Sequence, residues 1–295
     1  MAKISENAET SVYTFVDASV QSYSPKMSIT LESQLVMNVY VPVKNTEAFT
    51  IDGKTPDYKI VTLGNAEYYL VSIKLDSATA ARDIKLVATV KLGDKSANGS
   101  FTFSIPKYAV KVLSDANATE IEKTLVKDVL AYVQAAYNYF ADYNTADEIA
   151  RVNAIVDELL ALGGDYFGEP TISGTTAKDK GGIVTGVTLN LDYKPTIRFY
   201  VTDTNVEFKI GNTVLNTVKD VEGKYVELDV YAYALAETIT FGDGGSYHIS
   251  DFLEKTLEDE TLYETENYEE LLNLICCFIK YTEGAANYRN SVVNK

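Results

Sequence analysis

Few side chains in this sequence could do chemistry, and their spacing works against most of it. His248 is the sole histidine, so any mechanism needing an imidazole base or ligand must run through it. It sits in Tyr247-His248-Ile249-Ser250-Asp251-Phe252, where a strand pattern gives way to a helical one. The two cysteines, Cys276 and Cys277, are adjacent within Leu271-Leu272-Asn273-Leu274-Ile275-Cys276-Cys277-Phe278-Ile279. On a helix, neighbouring side chains point about 100° apart, which strains a disulfide between them, so both read as small buried hydrophobes. One histidine and two adjacent thiols do not complete a four-ligand zinc site.

A glycosidase needs only two carboxylates. The densest acidic segment holds Asp251, Glu254, Glu258, Asp259, Glu260, Glu264, Glu266, Glu269 and Glu270, interrupted by Lys255 alone. Several of these fall at the start of a helix predicted near Asn267, where the dipole favours negative charge. The segment therefore reads as a solvated, dipole-matched face, with docking of a basic partner as the second reading. Gly242-Asp243-Gly244-Gly245-Ser246 matches neither a phosphate loop nor a dinucleotide fingerprint and reads as a turn. Asp52-Gly53-Lys54-Thr55-Pro56-Asp57 has the wrong spacing for an EF-hand. The expectation is a protein that is not an enzyme, with no catalytic, metal-binding or cofactor-binding residues, no cofactor, and a binding surface that the sequence does not single out.

The elements around these residues are clearer than any site. Alternating apolar positions predict strands at Val12, Phe15, Val16 and Val20, at 29–31 and at 35–41. Others follow at Phe49 to Asp52, Tyr68 to Leu75, Ile84 to Lys91 and Phe101 to Ser104. The period then changes to 3.6. Pro106 opens a short helix reaching about Leu113, a place where its missing N–H costs nothing. Thr119 and Glu122 form a capping box for a longer helix with the stripe Ile121, Leu125, Val129, Tyr132, Ala136 and Phe140. A second capping box, Thr145 to Glu148, opens a helix carrying Ile149, Val152, Ile155, Val156, Leu159 and Leu160, stopped by Gly163-Gly164.

The order of these elements occurs twice. Val187-Thr188-Leu189 answers Ile29-Thr30-Leu31, 197–201 answers 37–41, and Phe208 to Gly211 answers Phe49 to Asp52. Tyr225 to Tyr231 and Ile239 to Phe241 stand for the middle strands. The glycine-rich turn answers Lys95 to Gly99, read as a turn as well. Tyr247 to Leu257 matches Phe103 to Leu113 without a gap, which sets His248 opposite Ser104 and makes it a junction or cap residue. Tyr281-Thr282-Glu283-Gly284-Ala285-Ala286-Asn287-Tyr288 aligns with Tyr132-Val133-Gln134-Ala135-Ala136-Tyr137-Asn138-Tyr139, small residues that let helices approach closely. The expectation is an α+β chain of two diverged repeats, each a small antiparallel sheet or sandwich followed by a packed helix pair. Residues 1–143 form the first module, 144–182 a connecting helix and linker, and 183–295 the second module.

With 295 residues there is room for two domains, each with its own core. A net charge of −16 argues against nucleic acid and anionic membrane surfaces, and suits high solubility or a basic partner. No apolar run approaches the roughly 20 residues of a membrane span, so membrane insertion is not expected. The first residues, Met1 to Glu9, lack the apolar core of a signal peptide, which fits a cytoplasmic protein or an excised piece of a longer exported one. Tyrosine is abundant at 22 and tryptophan absent, a bias toward protein recognition over sugar stacking.

Ser104 to Tyr108, then Tyr132 to Phe140, and again Tyr281 to Arg289, resemble a phrase of tandem modules in large exported surface proteins of gut Firmicutes. Its form is Ser-x-x-x-Tyr, a gap, then Tyr-Gly-Ala-Ala-Ala-Gln-x-Tyr-Phe. Here Val133 and Thr282 stand where that phrase has glycine, and Tyr137 and Ala286 where it has glutamine. The resemblance implies an extracellular or cell-surface setting within a longer exported chain. It also implies a non-catalytic role binding a host or environmental protein, immunoglobulin among the candidates. The alternatives are a carbohydrate-binding module of an exported glycan-degrading protein, or a structural spacer.

Overall fold

In the computed structural model the described residues are 14–15, 23–31, 35–162, 166, 182–191, 196–242 and 244–293. Among them the chain is α+β, with four antiparallel sheets and five α-helices. Val12, Val16, Val20, Gly163-Gly164 and most of the expected linker lie outside these residues.

Strict alternation builds the central strand of the first sheet. In Leu35–Pro42 (β3), Leu35, Met37, Val39 and Val41 are buried and the residues between them are half-buried, as a sheet covered more on one face requires. This strand lies between Lys26–Leu31 (β2) and Ala66–Lys74 (β6), and Lys59–Leu63 (β5) completes the order β2-β3-β6-β5. A second sheet joins Thr14–Phe15 (β1), Lys95–Phe103 (β8), Ile84–Leu92 (β7) and Thr46–Ile51 (β4), in the order β1-β8-β7-β4.

The later half has two more sheets. One joins Thr217–Lys219 (β13), Tyr225–Leu228 (β14), Thr196–Val201 (β10) and Val184–Asn190 (β9), as β13-β14-β10-β9. The other joins Thr213–Val214 (β12), Phe208–Ile210 (β11), Ile239–Phe241 (β15) and Gly245–Tyr247 (β16), as β12-β11-β15-β16.

Local chemistry sets the helices. Ile105–Ser114 (α1) has Pro106 in its first turn and is capped by the Ser104 hydroxyl, which accepts from the Lys107 N–H. Glu120–Tyr139 (α2) and Ala146–Leu160 (α3) both begin with complete capping boxes, Thr119 with Glu122 and Thr145 with Glu148. Ile249–Glu258 (α4) and Tyr268–Val293 (α5) follow the last strand. Helix α3 lies on α2, with Val152, Ile155, Val156 and Leu159 buried and Gln134 donating to Asp157 at 2.7 Å.

Four readings of the sequence need correction. Lys95 to Gly99 is not a turn but the first half of β8, and the reversal comes earlier, at Gly93, whose φ of 64° suits a residue without a side chain. Strand β5 has no counterpart in the expected set, because its residues are mostly exposed and give no alternation to read. The strand expected from Tyr225 to Tyr231 stops at Leu228, and Ala232–Ala236 forms a 3₁₀ turn. The short strands β12 and β13 also went unpredicted, being two and three residues long.

Packing departs from the expectation in one larger respect. Helices α1 and α4 do contact α2 and α5, but the principal helical seam joins α2 to α5. Tyr132 stacks on Tyr281 with ring centroids 5.5 Å apart and planes 14° apart, and Phe278 lies 5.4 Å from Tyr132. The buried apolar side chains accordingly form one cluster, from Met37, Leu86 and Phe101 through Tyr132 and Phe278 to Phe199 and Phe208. The core is shared between the halves.

Candidate binding groove

Ser250, His248 and Asp251 lie together, a trio that invites comparison with a nucleophile, base and orienting acid. The geometry is that of a helix cap. His248 Nε2 is 3.1 Å from the Ala236 carbonyl, which can only accept, so Nε2 carries the proton and Nδ1 is left to accept. Nδ1 takes the Ser250 N–H at 3.2 Å and lies 2.8 Å from the Ser250 hydroxyl. The Asp251 carboxylate accepts from the His248 backbone N–H at 2.7 Å and makes no bond to the imidazole ring. Ser250 is fully buried, so no substrate reaches its hydroxyl. His248 stands at the N-cap of α4 as Ser104 stands at that of α1.

Asp251 thereby leaves the acidic face to which the sequence assigned it: it is buried, with Oδ1 unpartnered. Burial pushes its carboxyl above the ordinary value, with Glu254 adding to the rise and the His248 N–H opposing it. Glu258, Asp259, Glu260, Glu264, Glu266, Glu269 and Glu270 are exposed, and the last two occupy the first turn of α5. Neither cysteine is in a disulfide, and both are half-buried against the core. The Cys277 thiol is pushed up to about 12, chiefly by burial, and so stays protonated and unreactive at neutral pH. Gly242 and Gly244 both have positive φ, as a turn requires, but the turn ends there: Gly245 and Ser246, read as part of it, already pair with β15 as the start of β16. Among the described residues no group of histidine, cysteine, aspartate and glutamate could hold a metal ion.

Two features were not anticipated. The first is a buried carboxylate in the α2–α5 seam. Asp128 is 3% exposed and accepts a hydrogen bond from the Tyr166 hydroxyl. Lys280 Nζ sits 4.0 Å from the centre of the Tyr166 ring. Opposite Asp128, α5 has Gly284, where a Cβ would fall 2.2 Å from the carboxylate oxygen Oδ2. Desolvation lifts the Asp128 carboxyl to about 6, against the lowering effects of Tyr166 and Lys280. The clue lay in the sequence: Asp128 is three residues after Leu125 and four before Tyr132, on the stripe that faces the core.

The second feature is a groove of about 730 Å³ walled by both halves. Helix α1 contributes Ile105, Tyr108 and Val112, spaced to share one face, and α2 contributes Leu125, Val126 and Val129. From the later half come Tyr231 and Tyr233, with Ala285, Tyr288, Arg289 and Val292 on one face of α5. Residues 27–30 of β2 close the remaining side. The Arg289 guanidinium lies 4.0 Å over the Tyr233 ring, and Tyr231 stacks on Tyr233 at 5.3 Å. Burial raises the Tyr108 hydroxyl's pKa, with Tyr288 and Glu122 adding to it. The walls are largely apolar with aromatic and charged edges, Lys111, Asp115, Glu122 and Arg289 among them, a surface suited to binding.

Compared with models of known protein families and with curated proteins, the chain matches none. Among the described residues no helix is long and apolar enough to cross a membrane.

Proposed function

We propose that this chain is a non-catalytic pair of diverged modules from a longer exported surface protein, and that it binds a host or environmental protein, with immunoglobulin among the candidates. The observation that carries the binding role is the groove: apolar faces of three helices converge there from both halves, edged by Tyr231, Tyr233, Tyr288 and Arg289. Tyrosine and arginine are the side chains that protein-binding surfaces favour. The one histidine is meanwhile occupied in capping a helix.

Duplication is supported by strand order. The sequence β2-β3-β6-β5 has the same connectivity as β9-β10-β14-β13, and β8-β7-β4 the same as β16-β15-β11. A 3₁₀ turn, Ser77–Thr79 or Ala232–Ala236, separates the two sheets in each half. Met37 pairs with Ile29 and Ile197 with Leu189, so register sets Leu189 against Ile29, two residues from the sequence match. A slip of two keeps every side chain on its face. Tyr132 and Tyr281, equivalent in the aligned blocks, stack on each other as equivalent residues do at a two-fold interface. The exported setting rests on the resemblance of the Tyr132 and Tyr281 phrases to surface-protein modules.

The test is capture from serum and mucosal secretions on the immobilised protein, with purified immunoglobulin and a glycan array in parallel. A retained protein supports the reading. Binding to one glycan class alone would replace it with a carbohydrate-binding role, and no ligand in either format would leave a spacer.

A further inference from the structure

We propose that the groove takes an extended segment of its partner, which adds as another strand to the free edge of β2 and offers a carboxylate to Lys111 and Arg289. The inference rests on the protein-binding reading above and specifies the kind of partner.

Met27, Ser28, Ile29 and Thr30 are consecutive, and all four line the groove. Side chains alternate along a strand, so a groove lying on one face would meet every second residue. Meeting four in a row places the groove along the edge. Among the described residues β3 is the only strand paired with β2, so the N–H and C=O groups on the other edge of β2 have no strand partner among them. A helix seated there would leave those groups without partners, whereas an extended segment satisfies them. The four residues span about 10 Å at roughly 3.3 Å per step, enough for three or four paired residues.

The two sides of the edge specify an alternating pattern. Met27 and Ile29 pack toward the core. On the other face Ser28 lies 3.2 Å from the Tyr40 hydroxyl and Thr30 accepts from Asn38 at 2.6 Å. An added strand thus turns one set of side chains to the apolar trough and the other to a polar surface.

Charge narrows the choice further. Both carboxylates beside the groove already serve local structure. Asp115 accepts the Asn117 N–H at 2.8 Å, and Glu122 accepts the Thr119 N–H at 2.7 Å. Lys111 and Arg289 are both exposed and, among the described residues, neither forms an ion pair. A chain of net charge −16 therefore presents two cations at this groove that, among the described residues, are not ion-paired, Arg289 lying over the Tyr233 ring with its charge unneutralised by a carboxylate. The long-range repulsion of an acidic segment is largely screened beyond about 8 Å at physiological salt.

The probes are labelled ten-residue peptides of alternating valine and serine with glutamate at both ends, a lysine-ended version, and a version with central prolines that remove donors. Binding is read by fluorescence anisotropy and by NMR amide exchange, with the edge strand β9 as an internal control. The glutamate-ended peptide is expected to bind and to slow exchange at alternate amides of β2 while leaving β9 unchanged. The proline version is expected to lose binding, and Lys111→Glu with Arg289→Glu to weaken the glutamate-ended peptide by about tenfold. Peptide binding without protection of β2 would overturn strand addition and leave the binding reading intact. So would failure of every peptide alongside a captured protein that Val292→Glu releases. Absence of any captured protein would instead defeat the binding reading itself.

Discussion

The buried carboxylate of the α2–α5 seam makes stability depend on pH in an unusual direction. Asp128 has its folded pKa raised from 3.8 to about 6. Its stabilising contribution is full below pH 3.8 and is lost as pH rises through 6, the reverse of an ion-paired aspartate. A rise of that size is worth about 3 kcal/mol at 1.36 kcal/mol per pKa unit, the cost of holding the charge buried at neutral pH. Asp128→Asn keeps the shape and an oxygen able to accept from Tyr166, but removes the charge. Urea unfolding of both proteins between pH 3.5 and 8 isolates the effect, because the other carboxylates cancel in the difference. At pH 3.5 the two should be nearly equal. The variant should gain progressively between about pH 4 and 6 and level off near 2–3 kcal/mol more stable by pH 7.5. A difference that does not change with pH, or a variant less stable than wild type at pH 7.5, would refute the placement of a desolvated charge in the seam.

Other substitutions test neighbouring parts of the account. Gly284→Ala should destabilise by about 1–3 kcal/mol through the clash with the Asp128 carboxylate, and pairing it with Asp128→Ala in a double-mutant cycle should recover most of that loss. His248→Ala should cost about 1 kcal/mol or more in urea unfolding through loss of the α4 cap, and His248→Ser should retain most of the stability, since serine caps α1 at the matching place. Tyr132→Ala opens the shared core and should cost about 3–5 kcal/mol, with fluorescence and far-ultraviolet circular dichroism melting together in both proteins. Separate transitions for the two halves in the wild type would contradict a shared core.

Local signals were legible in the sequence and non-local ones were not. The capping boxes Thr119–Glu122 and Thr145–Glu148 and the proline after Ser104 each encode a helix start within four residues, and each helix begins there. His248 could be read as a cap because it falls opposite Ser104, a comparison internal to the chain. Strand β5 escaped notice because an exposed edge strand lacks alternation. Asp251 was misplaced among surface acids because nothing in its neighbours reveals that α4 buries its own first turn. The groove depends on α5 meeting α2 rather than only its own short partner. Stripes of apolar residues say that a helix packs, without saying against which element.

The central claim is that a partner protein binds in the groove between the halves. The most direct measurement is the affinity of a protein captured from serum or mucosal secretions for wild type and for Val292→Glu, a substitution at a half-exposed position on the groove wall. The account predicts at least a tenfold rise in Kd for the variant with its urea unfolding curve little changed, since a carboxylate set among the apolar contacts repels the segment's own and costs about 1.4 kcal/mol or more at a desolvated contact. An identical Kd for both proteins would place the binding surface elsewhere and contradict the account.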